Sequence, residues 1–81
     1  MLDPLDDIVP TFAALTRAVR DASLPEPVKL KALEVLELMG RDIGTPMYGE
    51  QYTHMSLLAQ IHPELAAIVA PYMPRLAALL H

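Results

Sequence analysis

Glu50 and His54 stand four residues apart, with His62 two turns further along and Glu64 close behind it. On a helix, an i, i+4 pair shares one face. Carboxylate plus imidazole is a donor set that iron, manganese and zinc accept, and the same two groups can move protons in general acid–base catalysis. The spacing is nevertheless loose. A metal centre needs three or four ligands, and a bare Glu-x-x-x-His is a common chance pattern. Two readings follow. In one, Glu50, His54 and His62 form a small metal-dependent or acid–base enzyme site, assembled across a dimer. In the other, Glu50 and His54 are a solvated helix pair and His62 caps the next helix. The second is preferred, so no catalytic residue, no metal and no cofactor is expected.

A second candidate is the run Gly44-Thr45-Pro46-Met47-Tyr48-Gly49. A glycine-rich turn entering a helix can cradle an anion on free backbone N–H groups. This one lacks the lysine and the glycine spacing of phosphate-binding fingerprints. Met47, Tyr48 and Tyr52 read instead as a flexible, aromatic recognition loop of the kind enriched at interfaces. Against that stands an ordinary interhelical connection with Tyr48 tucked over the core.

The third feature is the stretch from Leu65 to Leu80, whose only charge is Arg75. A helix that is apolar all round is buried or crosses a membrane. Crossing needs about 20 consecutive apolar residues, and this stretch is shorter and broken by Pro71 and Pro74. Burial is therefore predicted, either in the chain's own core or in a subunit interface. The interface is favoured, and Leu65, Ile68, Val69, Tyr72, Leu76, Leu79 and Leu80 are its expected residues.

The elements that would position these groups are all helical. Asp3-Pro4 reads as a cap followed by a first-turn proline, with Asp6 and Asp7 near the positive helix end. Pro10 interrupts, and the first main helix is expected from about Pro10 to Ala22, with Ile8, Phe12, Leu15 and Val19 at helical spacing. Ser23-Leu24-Pro25-Glu26 has the form of a capping box. The next helix carries a stripe of Val28, Ala32, Val35, Leu36, Met39 and Ile43, widened by Leu30, Leu33 and Leu38. So wide a stripe predicts packing on two sides. Gly40 or Gly44 is the natural left-handed residue after it. A third helix is expected from about Glu50 to Ile61, with Met55, Leu58 and Ile61 inward. His62-Pro63 stops it, Pro63 restarts a helix through Ala70, and Pro71 and Pro74 kink or split the remainder. Arg17 with Asp21, and Glu37 with Arg41, are expected surface pairs.

Composition bounds the rest. The chain has 81 residues, no cysteine, a formal charge of -4 and an apolar fraction of 53%. That length makes one domain, 1–81, of a size that is marginal without disulfides, metal or oligomerisation. The absence of cysteine removes disulfides and thiolate metal sites, and it fits a cytoplasmic setting. Six scattered basic residues give no nucleic-acid footprint, and the acidic start resembles no secretory signal. A membrane-surface role would want more lysine and arginine on the polar face.

The resulting expectation is an all-α, compact four-to-five-helix domain, bundle-like or orthogonal, with a proline-kinked C-terminal helix. Its expected function is non-enzymatic protein interaction, as an adaptor, regulator or small subunit. It would bury apolar helix surface in a homo- or hetero-oligomer, with a homodimer the simplest case. Besides the enzyme, the rival is a binder of a small apolar ligand lined by Met39, Met47, Met55 and Met73.

Overall fold

A computed structural model describes residues 4–80, with side chains from Ile8 onward. Over these residues the chain is all-α: α1 (Pro4–Asp21), α2 (Glu26–Asp42), α3 (Met47–Ile61), α4 (Pro63–Val69) and α5 (Met73–Ala77). The Asp3 cap lies outside the described residues, as do the side chains of Asp6 and Asp7. Helix α2 packs against both α1 and α3, α4 bridges α3 to α1, and α5 returns to α1. The two-sided packing predicted from the wide stripe of α2 is thus present.

Pro10 does not interrupt. Helix α1 runs straight through it, because Pro10 is exposed and the backbone bond it forfeits falls on the water-facing side. The capping box does not form either. Pro25 is the cap residue of α2, with φ -54° and ψ 139°, and no side chain caps the helix. An extended Pro25 followed by Pro27 in the first turn presets the start of α2 by restricting φ, without a Ser23 hydroxyl.

Between α2 and α3 the left-handed residue is Gly44, at φ +83°. Gly40 stays helical within α2. The Thr45 hydroxyl and the Thr45 N–H both donate to the Asp42 carbonyl, at 2.7 and 3.0 Å. That tight turn lets α3 begin at Met47, one turn earlier than expected. At the other end of α3 the His62-Pro63 stop holds. His62 is extended (φ -121°, ψ 94°), and its carbonyl accepts from the N–H groups of Leu65 and Ala66, both at 3.0 Å. Pro71 and Pro74 then split the C-terminal segment into α4 and α5.

The core joins Ile8, Leu15 and Val19 of α1 to Val28, Ala32, Val35, Leu36 and Met39 of α2. Tyr48 and Met55 of α3, Leu65 and Val69 of α4 and Leu76 of α5 complete it, with Leu24 from the α1–α2 link. Two residues expected inside are not: Leu30 is 58% exposed and Ile61 67% exposed. Each lies on the far side of its helix from the residues that carry the core. The charged faces are solvated as expected. Their ion pair among the described residues is Lys31 with Glu34, at 3.8 Å, and Arg17–Asp21 and Glu37–Arg41 do not pair. No described helix is long and apolar enough to cross a membrane.

Candidate functional site

Tyr48 is the best-built polar group in the molecule. As the second residue of α3 its ring faces inward and is almost wholly buried. Its hydroxyl donates to the Leu76 carbonyl at 2.7 Å, tying the start of α3 to α5 across the core. Burial pushes its pKa up to about 12, and the neighbouring Tyr52 adds to the rise. A buried phenol costs little only when it is hydrogen-bonded, and this one is. The recognition loop expected from Met47, Tyr48 and Tyr52 therefore does not exist as a loop. Met47 and Tyr48 open α3, Tyr48 is core, Tyr52 is half-buried, and Met47 alone stands out in solvent.

The anion cradle is also not formed. The Tyr48 N–H is already spent on the Thr45 carbonyl, at 3.2 Å. The small cavity beside it, about 110 Å³, is lined by Thr45, Pro46, Tyr48, Gly49, Leu79 and Leu80 and holds no basic side chain.

The carboxylate and imidazole set does not gather into one site, although Glu50 and His54 share a face of α3. Glu50 and Glu64 are exposed, while His54 and His62 are half-buried at the middle and the end of α3. Among the described residues no three His, Asp or Glu side chains come together as a ligand set. His62 caps α4, but through its backbone carbonyl and not its ring.

Of the seven residues expected at a C-terminal interface, three have no surface left to offer. Leu65, Val69 and Leu76 are at most 1% exposed in a single chain. The chain's other helices suffice to cover much of this segment because the proline break folds α5 back onto α1, where the Arg75 guanidinium donates to the Thr11 hydroxyl at 3.5 Å. Ile68, Tyr72 and Leu79 are half-buried, and Leu80 is 39% exposed. The surface of the chain, 5107 Å², is close to the ~4,800 Å² expected of a monomer of its mass.

Exposed apolar surface lies elsewhere. Three successive turns of α1 (Phe12, Thr16, Arg20) and of α2 (Leu33, Leu36, Glu37, Gly40) line one groove of about 370 Å³. Lining by three turns of each helix requires the two to run side by side, and the short 22–25 link makes them antiparallel. The Lys29 ammonium donates to the Arg20 carbonyl at 3.0 Å and pins that end. Val9 sits seven residues before Thr16, and Leu30 three before Leu33, so helical spacing continues the same face. Val9 is 70% exposed and Leu30 58%. Sequence reasoning missed this face because Thr16, Arg20 and Glu37 read as a solvated side. The signal was there in Val9 and Phe12 on α1 and in Leu30, Leu33 and Gly40 on α2, all at helical spacing.

The methionines of the apolar-ligand reading are scattered. Met39 and Met55 are fully buried in the core, Met47 is exposed and Met73 half-buried, and none lines the groove or the small cavity. Comparison with known proteins finds no family model, no curated protein and no solved structure that matches this chain.

Proposed function

We propose that this chain is a non-enzymatic protein-interaction module, a small adaptor, regulator or subunit working in the cytoplasm. It acts by burying apolar helix surface against another protein chain. The observation that carries this reading is the α1–α2 groove with Phe12, Leu33 and Leu36 in its lining, beside the well-exposed Val9 and Leu30, which helical spacing puts in line with Thr16 and Glu37. Single exposed apolar residues are ordinary on any protein. Beside a groove lined by Phe12 and Leu33 these two add to one apolar surface, and such surfaces are typical of protein contact sites. Fully burying a leucine is worth about 1.5–3 kcal/mol, so covering this face is favourable. Half-buried Ile68, Tyr72 and Leu79, with Leu80, remain available to a larger contact.

The arrangement gives less support to the other classes. An enzyme needs acid, base or ligand groups held together, and those of the described residues do not gather into one site. A small-molecule site encloses most of its ligand, whereas this groove runs open between two surface helices.

Native mass spectrometry and light scattering up to hundreds of micromolar, together with cross-linking in the source cells, test the reading. The expected result is a species heavier than 8.9 kDa, or a stoichiometric cross-linked protein partner. A clean monomer that cross-links to nothing overturns it.

A further inference from the structure

Extended by helical spacing to Val9 and Leu30, the face of the groove has four corners, and their chemistry is not random. On α1, Arg20 stands at the end beside the 22–25 link and Val9 at the far end. On α2, Leu30 stands at the link end, with Glu37 and Gly40 towards the far end. One diagonal of the face thus joins a cation to an anion, Arg20 to Glu37. The other joins two exposed apolar side chains, Val9 to Leu30.

A face with this pattern is complementary to itself. A two-fold axis lying along the apolar diagonal exchanges the charged corners. Arg20 of one copy then meets Glu37 of the other, twice over, while Leu30 and Val9 each meet their own copies near the axis. Self-complementarity of this kind is what an isologous two-fold contact demands. A face of one charge sign, or one with its cation and anion on the same side, would not close in this way.

Gly40 is the independent observation. It lies in the last turn of α2 with helical backbone and is exposed, and a Cβ built on it meets nothing within 4 Å. Nothing inside the chain requires a glycine there, although glycine is unfavourable within a helix. Its place in the groove lining is where an approaching backbone would need the missing side chain.

We infer that a second copy of this chain docks on the α1–α2 groove across a two-fold axis, with Arg20 and Glu37 paired reciprocally and Gly40 permitting close helix approach. This rests on the interaction reading above and gives it a partner and a surface. Two helices of about 25 Å, side by side and each about 10 Å across, present roughly 500 Å² per copy. Roughly 1,000 Å² in total is the lower edge for a specific contact, so the dimer is reversible and best seen by sedimentation up to hundreds of micromolar.

Charge exchange tests it with the whole chain. Arg20→Glu and Glu37→Arg each place like charges opposite one another, and each should weaken dimerisation by at least about tenfold. The double variant, R20E with E37R, restores both pairs and should return to within a few-fold of the parent. Both positions of the cycle are at the surface, and circular dichroism checks that each variant keeps its helix content. Gly40→Ala should raise the melting temperature of the monomer yet weaken the dimer. A parent that stays monomeric throughout the concentration series overturns the inference. So does a double variant that binds no better than the singles. A parent that self-associates, with all variants unchanged, overturns the groove assignment but leaves the interaction reading standing.

Discussion

The C-terminal segment and the α1–α2 face invert what their compositions imply. Leu65 to Leu80 is the most apolar part of the chain, yet its large side chains are mostly turned into the core, with Leu65, Val69 and Leu76 sealed there. The α1–α2 face is interrupted by Thr16, Arg20 and Glu37, yet it leaves Val9 and Leu30 in water. The difference teaches that apolar content predicts how much surface wants covering and not which surface remains uncovered. Coverage is decided by which elements fold back. Two prolines bend α5 onto α1 and close the C-terminal segment, whereas nothing in the described chain returns over the groove.

The largest effect that would break this contrast is in the C-terminal segment. Leu76→Ala should cost about 2–5 kcal/mol, the range for deleting a fully buried leucine, while Leu80→Ala should cost less than about 0.5 kcal/mol. Urea unfolding followed by circular dichroism measures both. Equal and small effects would mean that the segment is not sealed in the monomer.

Tyr48→Phe comes next. It removes the hydroxyl that donates to the Leu76 carbonyl; that carbonyl keeps the Leu79 N–H at 3.3 Å, so the cost is that of one net hydrogen bond, about 0.5–1.5 kcal/mol. The same tyrosine sets a pH dependence whose sign can be worked out. Its folded pKa of about 12 lies above the ordinary value of 10.0, so the folded state holds the phenolic proton more tightly than the unfolded one. That contribution is fully present below about pH 10 and is lost as pH rises from 10 towards 12. Alkaline unfolding should therefore begin in that window, coincide with the late-titrating tyrosine seen by ultraviolet absorbance, and lose this steepness in Tyr48→Phe.

Smaller effects belong to the exposed face. Gly40→Ala should stabilise the folded monomer by about 0.5–1 kcal/mol, since the helix gains alanine propensity and the new methyl meets open space. Leu30→Gln should change monomer stability by less than about 0.5 kcal/mol, because Leu30 is 58% exposed. A large loss from Leu30→Gln in dilute solution would place it in the monomer core and remove one corner of the groove.

Much of the architecture was legible in the residues themselves. Helical periodicity and proline and glycine punctuation placed α2 and the α3–α4 junction, and the stripe Val28, Ala32, Val35, Leu36 and Met39 is the buried face of α2. Local signals misled where two were in competition. Ser-x-x-Glu at 23–26 promised a capping box, but Pro25 and Pro27 had already restricted the backbone. Pro10 promised a break, but a proline on the exposed side of a long helix removes a bond where water can replace it. Gly49 and Thr45-Pro46 promised a loop as far as Glu50, but the tight turn at Gly44 let Tyr48 enter the helix and reach the core.

What the sequence determined by itself is the class of structure: helices with apolar stripes, a chain without cysteine, and basic residues scattered along its length. Those are local or compositional properties, set by a 3.6-residue period and by side-chain type. Only the tertiary structure decided that Tyr48 bonds to Leu76, that Leu65, Val69 and Leu76 face inward, and that Phe12 and Thr16 share one groove with Leu33 and Gly40. Each of these depends on where a distant helix returns, and no periodicity within a single helix encodes that.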